Sequence, residues 1–148
     1  MAALDALARR DLPGEELRRK LLEKGYHTSV VAPLLEALHA ERLLDDQRYV
    51  ENFVAYHASR GQGPVKVRQA LRDKGLHGEL VEDCLKSYGD WLKHLKEAQR
   101  KKFGAKPPTD FAARQRQMQF LGYRGFTSGQ IRTALGFDTD IDSDDEAL

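Results

Sequence analysis

Lys93, Lys96 and Arg100 stand at i, i+3 and i+7, a spacing that places three cations on one face of a helix. Lys101, Lys102 and Lys106 follow, and Arg114, Arg116, Arg124 and Arg132 line the last two helices expected. A second group, Arg60, Lys66, Arg68, Arg72 and Lys74, surrounds the turn "RGQGP". Fixed positive charges in series neutralise phosphates or carboxylates in series. The bias in sign is what matters. Residues 90–137 hold 10 Lys and Arg against 3 acids, while residues 1–89 are balanced at 14 and 14. A merely solvated face needs no such excess, so the pattern points to a polyanion. Residues 138–148 contain 6 acids and no base. That segment should be disordered and should compete for the basic face. Deleting it is expected to tighten DNA binding at low salt; an unchanged Kd would remove the idea.

Covalent chemistry has little to work with. No two of His27, His39, His57, His77 and His94 have a metal-ligand spacing such as H-x3-H. "GQGP" lacks the Lys-Ser/Thr of a phosphate loop, and G-x-S-x-G does not occur. The single cysteine, Cys84 in "VEDCL", sits at an apolar helical position and reads as core. The expectation is a protein that is not an enzyme and needs no cofactor or metal. No apolar run approaches the roughly 18 residues of a membrane helix, and the N-terminus carries acids where a signal peptide would be apolar. A cytoplasmic protein without a membrane partner is expected.

The elements that must position these cations follow from a repeat. "LRRKLLEKGY", "VRQALRDKGL" and "QMQFLGYRGF" begin at residues 17, 67 and 117, an interval of 50. Gly25, Gly75 and Gly125 share one column, and Leu21, Leu71 and Leu121 another. Further columns hold Lys24, Lys74 and Arg124; Tyr26, Leu76 and Phe126; Val31, Val81 and Ile131; and Leu35, Leu85 and Leu135. Each phrase reads as a helix ended by a glycine with a cation beside the negative helix end. A polar start follows, with Thr28 or Ser29 and Thr127 or Ser128 as N-caps. A third helix precedes each phrase. It has the stripe Ala3, Leu4, Leu7 and Ala8 in the first unit. Tyr49, Val50, Phe53, Val54 and His57 form it in the second, where Asp45 or Asp46 is the cap. Trp91, Leu92, Leu95, Ala98 and Phe103 form it in the third. Pro64 suits the first turn of the next helix.

The fold expected is therefore all-α, nine helices in three tandem three-helix repeats that form an elongated curved array. The boundaries are 1–44, 45–88 and 89–137, with 138–148 as an acidic tail. Units of this size need their neighbours for stability. Tyr26, Leu76 and Phe126, as equivalent positions, are expected in the core, with Trp91. Tyr123 and Phe126 flank Arg124, where bases might otherwise stack, but core packing is the better reading for Phe126.

"LLDDQRYVENFV", "RGQGPVKVRQALRDKGL" and "FLGYRGFTSGQIRTAL", in that order, resemble the RecX family of bacterial recombination regulators over roughly residues 2–136. Family proteins are three tandem three-helix repeats. The resemblance implies a protein that binds the RecA recombinase filament in its groove. There it would inhibit ATP hydrolysis, co-protease activity and strand exchange, without catalysis or cofactor of its own. It also implies contact with single- or double-stranded DNA through Arg60, Lys66, Arg68, Arg72, Lys74, Arg114, Arg116, Arg124 and Arg132. A monomer is expected. The more acidic first unit, "LPGEELRRKLLEKGYH", should face protein rather than DNA. The competing readings are a free-standing DNA-binding module that acts by competition for DNA, and a generic helical adaptor.

Overall fold

The computed structural model describes residues 2–9 and 11–136. The acidic segment 138–148 and the side chain of Ala8 lie outside the described residues. Among the described residues there are nine helices and no strand: α1 Ala2–Arg9, α2 Gly14–Glu23, α3 Thr28–Ala40, α4 Asp46–Ser59, α5 Pro64–Asp73, α6 Glu79–Ser87, α7 Trp91–Phe103, α8 Phe111–Tyr123 and α9 Ser128–Leu135. The all-α, repeated architecture expected from the 50-residue period is the one observed.

The period is legible in the hydrogen bonds. Gly25, Gly75 and Gly125 have φ of 99°, 84° and 100°, a region that L side chains rarely adopt. After α2, the Tyr26 N–H donates to the Leu21 carbonyl and the Gly25 N–H to that of Leu22. Leu76 and Gly75 repeat the pair on Leu71 and Arg72, and Phe126 and Gly125 repeat it on Leu121 and Gly122. This is the Schellman closure, which satisfies carbonyls that a helix end leaves open. The same closure ends α3, where Leu43 donates to Leu38 and Arg42 to His39. There the left-handed position is filled by Arg42, at φ 60°.

Several local expectations hold and others do not. Asp45 caps α4 by accepting from the Arg48 N–H at 3.0 Å, and Thr127 caps α9 in a reciprocal box with Gln130. Pro64 opens α5. The N-cap of α3 is neither Thr28 nor Ser29 but His27, whose ring nitrogen accepts from the Ser29 N–H. Leu4 is exposed rather than core, and so is Tyr26, at 46%.

The repeat equivalents of Tyr26 lie where the units join. The turn after α8 packs on the start of α5: Gly63 donates to the Arg124 carbonyl at 2.8 Å and Val65 to that of Gly125 at 2.9 Å. The turn after α5 likewise approaches α2, with Gly75 against Glu15. Each turn thus approaches the unit before it, and Leu76 and Phe126 both lie buried in the core shared by the second and third units. Around Gly25 an added Cβ would meet nothing within 4 Å, and the Tyr26 that follows it is exposed.

The units do not depend on one another equally. One core runs through the second and third units, joining Val50, Val54, Val67, Leu71 and Leu85 to Trp91, Leu95, Leu121, Phe126 and Ile131. Trp91 stitches it, donating its indole N–H to the Leu85 carbonyl at 2.9 Å. The first unit has a core of its own, built from Ala3, Leu12, Leu17, Leu21, Val31, Leu38 and Leu44. Polar contacts tie it to the rest. Arg48 pairs with Asp11 through two bonds, and the Asp46 carboxylate accepts from the Gly14 N–H at 2.9 Å.

Candidate nucleic-acid interface

Helix α7 buries Trp91, His94, Leu95 and Ala98, which leaves Lys93, Lys96 and Arg100 together on its exposed side. Arg60, Lys66, Arg72, Arg114 and Arg116 are exposed as well, whereas Arg68, Lys74, Arg124 and Arg132 are half-buried. Arg68 is already engaged. Its guanidinium makes two bonds to the Glu82 carboxylate, at 2.9 and 3.0 Å, bracing α5 against α6. A phosphate would have to compete with that carboxylate for Arg68.

Three of the sequence-selected cations meet in one place. Arg60, the C-cap of α4, Arg100 of α7 and Arg124, the C-cap of α8, line a cleft of about 350 Å³ between the second and third units, together with Lys101. The backbone sets this geometry. Gly61 and Gly63 bring the α4–α5 turn against the α8–α9 turn so closely that a Cβ on Gly61 would lie 3.5 Å from the Arg124 guanidinium. Arg124 stacks over Phe120 at 5.4 Å, and Arg60 lies over the exposed ring of Tyr56 at 5.0 Å. The Nε–H of Arg124 is buried and has no acceptor among the described residues.

One acid, Glu97, lines the cleft with these cations, as does His94. Glu97 accepts from Nδ1 of His94 at 3.1 Å, and since a carboxylate only accepts, that nitrogen carries the proton. Nε2 then accepts from the Tyr88 hydroxyl at 2.7 Å. Burial pushes the Tyr88 phenol up from its ordinary pKa, the direction opposite to an activated nucleophile. Burial likewise raises the Cys84 thiol, which fits a core position. No group of three or more metal-binding side chains occurs among the described residues.

Around the far side of the same junction, the Lys66 ammonium lies 4.7 Å from the centre of the Tyr123 ring, which is 77% exposed. Tyr123 is therefore open to solvent, while Phe126 is buried. Sequence reasoning grouped Arg100 by helix face, Arg60 and Lys66 around the glycine turn, and Arg124 with the last two helices. It missed Tyr56 and the part played by Gly61 and Gly63, since their relation to Arg124 spans some sixty positions of chain. The "RGQGP" turn was the usable signal, since the second basic group surrounds it.

Residues 45–85 match the second three-helix domain of RecX, and residues 90–135 match the third. A regulatory protein RecX from Halorhodospira halophila is 42% identical over 98% of this chain and 89% of its own length. The chain belongs to the RecX family. A regulatory protein RecX from Pseudomonas savastanoi is 41% identical, over 90% of this chain and 86% of its own. The crystal structure of RecX from Lactobacillus salivarius superposes with a TM-score of 0.80 at 23% identity, covering 91% of this chain and 90% of that one, which shows a common fold. RecX proteins are regulatory proteins by name, and this chain shares their architecture. No helix among the described residues is long and apolar enough to cross a membrane.

Proposed function

We propose that this protein regulates a RecA-type recombinase by binding its DNA filament, lodging in the filament groove and suppressing ATP hydrolysis and strand exchange. One observation carries the reading: a RecX-family array in which the exposed cations concentrate on the third unit and meet Arg60 of the second at their junction. Three units, with boundaries at 1–44, 45–88 and 89–137, form a chain of neighbours suited to lie along an elongated partner. The cytoplasm is the compartment in which such a filament is met, and the protein acts there as a monomer. Added to preformed recombinase filaments, it should suppress ATP hydrolysis at substoichiometric levels. Unchanged hydrolysis at equimolar protein sinks the proposal.

The cleft beside Arg124 favours a second reading, in which the protein binds DNA by itself and any effect on recombination comes from competition. Charge reversal to Glu of the exposed Lys66 and Arg72, which leaves the Arg68–Glu82 brace intact, separates the two. All activity is lost under the second reading, while filament binding partly survives under the first. If about 5 phosphates of duplex DNA are neutralised, the slope of log K against log salt is about −4.5.

A further inference from the structure

Four cations converge on the cleft between the second and third units: Arg60, Arg100, Lys101 and Arg124. They come from separate elements, the ends of α4 and α8 and the last turns of α7. Glu97 is the one acid on the cleft wall; one of its oxygens accepts from His94, and its single negative charge leaves the four cations in excess. Like charges gathered this way repel, and a protein tolerates the arrangement when an anion offsets it. The buried Arg124 Nε–H, which has no acceptor among the described residues, is a second and independent sign of a missing partner.

We propose that this cleft is an oxyanion site that seats a phosphodiester of a single-stranded nucleic acid. The inference rests on the reading that the basic surface contacts DNA, and it gives that surface one fixed anchor. Three arginines provide forked donors matched to phosphate oxygens, and together they exceed what one carboxylate of a protein partner would neutralise. The exposed Tyr56 ring beside Arg60 gives an adjoining base a face to stack on, which a duplex would not present. The site exists only when the two units are docked, because the paired backbones of Gly63 and Arg124 hold its walls together.

The test compares two double variants of the full chain. Arg60→Ala/Arg100→Ala removes two exposed cleft charges, and Arg19→Ala/Lys20→Ala removes two exposed charges from the first unit. Binding of a fluorescent single-stranded oligonucleotide is followed by anisotropy across a salt series. The phosphate lost from the cleft lowers the single-strand salt slope by about 0.7, so the cleft variant should bind about 5-fold more weakly at 0.1 M than wild type. The first-unit variant should change by less than about 3-fold, since it loses only distant, screened charge. In parallel, the ¹H–¹⁵N signal of the Arg124 Nε–H should move when the wild type is saturated with the oligonucleotide. Equal losses in the two variants, or a static Arg124 signal in saturated wild type, overturn the cleft while leaving DNA binding intact. Wild-type protein that fails to bind the oligonucleotide at all overturns the DNA reading with it.

Discussion

Replacing Gly63 with Ala should uncouple the second and third units. A Cβ at this position would lie 2.4 Å from both the Gly125 carbonyl carbon and the Phe126 nitrogen, and 2.5 Å from the Gly125 oxygen. Ordinary contact begins near 3.4 Å, so backbone must retreat by about 1 Å. That retreat stretches the bonds from Gly63 to Arg124 and from Val65 to Gly125 beyond hydrogen-bonding range, from 2.8 and 2.9 Å. Two lost bonds cost about 1–3 kcal/mol together, and forcing the packing costs about 1–3 kcal/mol more. A total near 4 kcal/mol lowers the folded-to-unfolded ratio about a thousandfold, a large share of the stability of any domain. Urea unfolding followed by the fluorescence of Trp91, the single tryptophan, reports on this core directly. Gly122→Ala is the matched control. It lies inside α8 with nothing within 4 Å of the new methyl, and it should stabilise by about 0.5–1 kcal/mol. A Gly63→Ala protein within about 1 kcal/mol of wild type would refute the docking geometry, and with it the shape of the cleft.

Other perturbations follow from the same contacts. Asp46→Ala removes the acceptor of the Gly14 N–H and should cost about 1–2 kcal/mol; amide exchange should quicken in α2 and α3 and stay unchanged in α5 to α9, because the cores are separate. Arg42→Gly relieves a left-handed backbone and should stabilise the first unit by about 0.5–1 kcal/mol in thermal unfolding. Burial against Phe53 holds the His57 pKa below its ordinary 6.5, so the unfolded chain binds the proton more readily than the folded one. Its share of stability is therefore complete above about pH 6.5 and lost as the pH falls through the window down to the lowered folded value. His57→Phe should flatten the stability profile in that window, and an unaltered profile would contradict the assignment.

The sequence displayed the period and the helix ends because both depend on local chemistry. Gly25, Gly75 and Gly125 announce a left-handed residue, and Leu21, Leu71 and Leu121 mark one buried face. What it concealed was non-local. Tyr26, Leu76 and Phe126 are equivalent along the chain, yet the latter two join the core of the second and third units while Tyr26 stays exposed. The division into one fused core and one separate core depends on which residues lie at the junctions. Trp91 and Phe126 fill the second junction, whereas Asp11, Asp46 and Arg48 hold the first. Of the candidate site, the cations were visible by charge alone. Their sorting was not: Arg68 is held by Glu82, and Arg60, Arg100 and Arg124 share a cleft through turns that a helical wheel does not represent.

The central claim is that a RecX-family array acts on a recombinase filament through the basic surface of its second and third units. ATP hydrolysis by preformed recombinase filaments on single-stranded DNA, measured while this protein is added, tests it most directly. The account predicts strong suppression at well below one copy per recombinase protomer, weakened when Arg60 and Arg100 are replaced by alanine. Hydrolysis that continues undiminished at equimolar protein would contradict it.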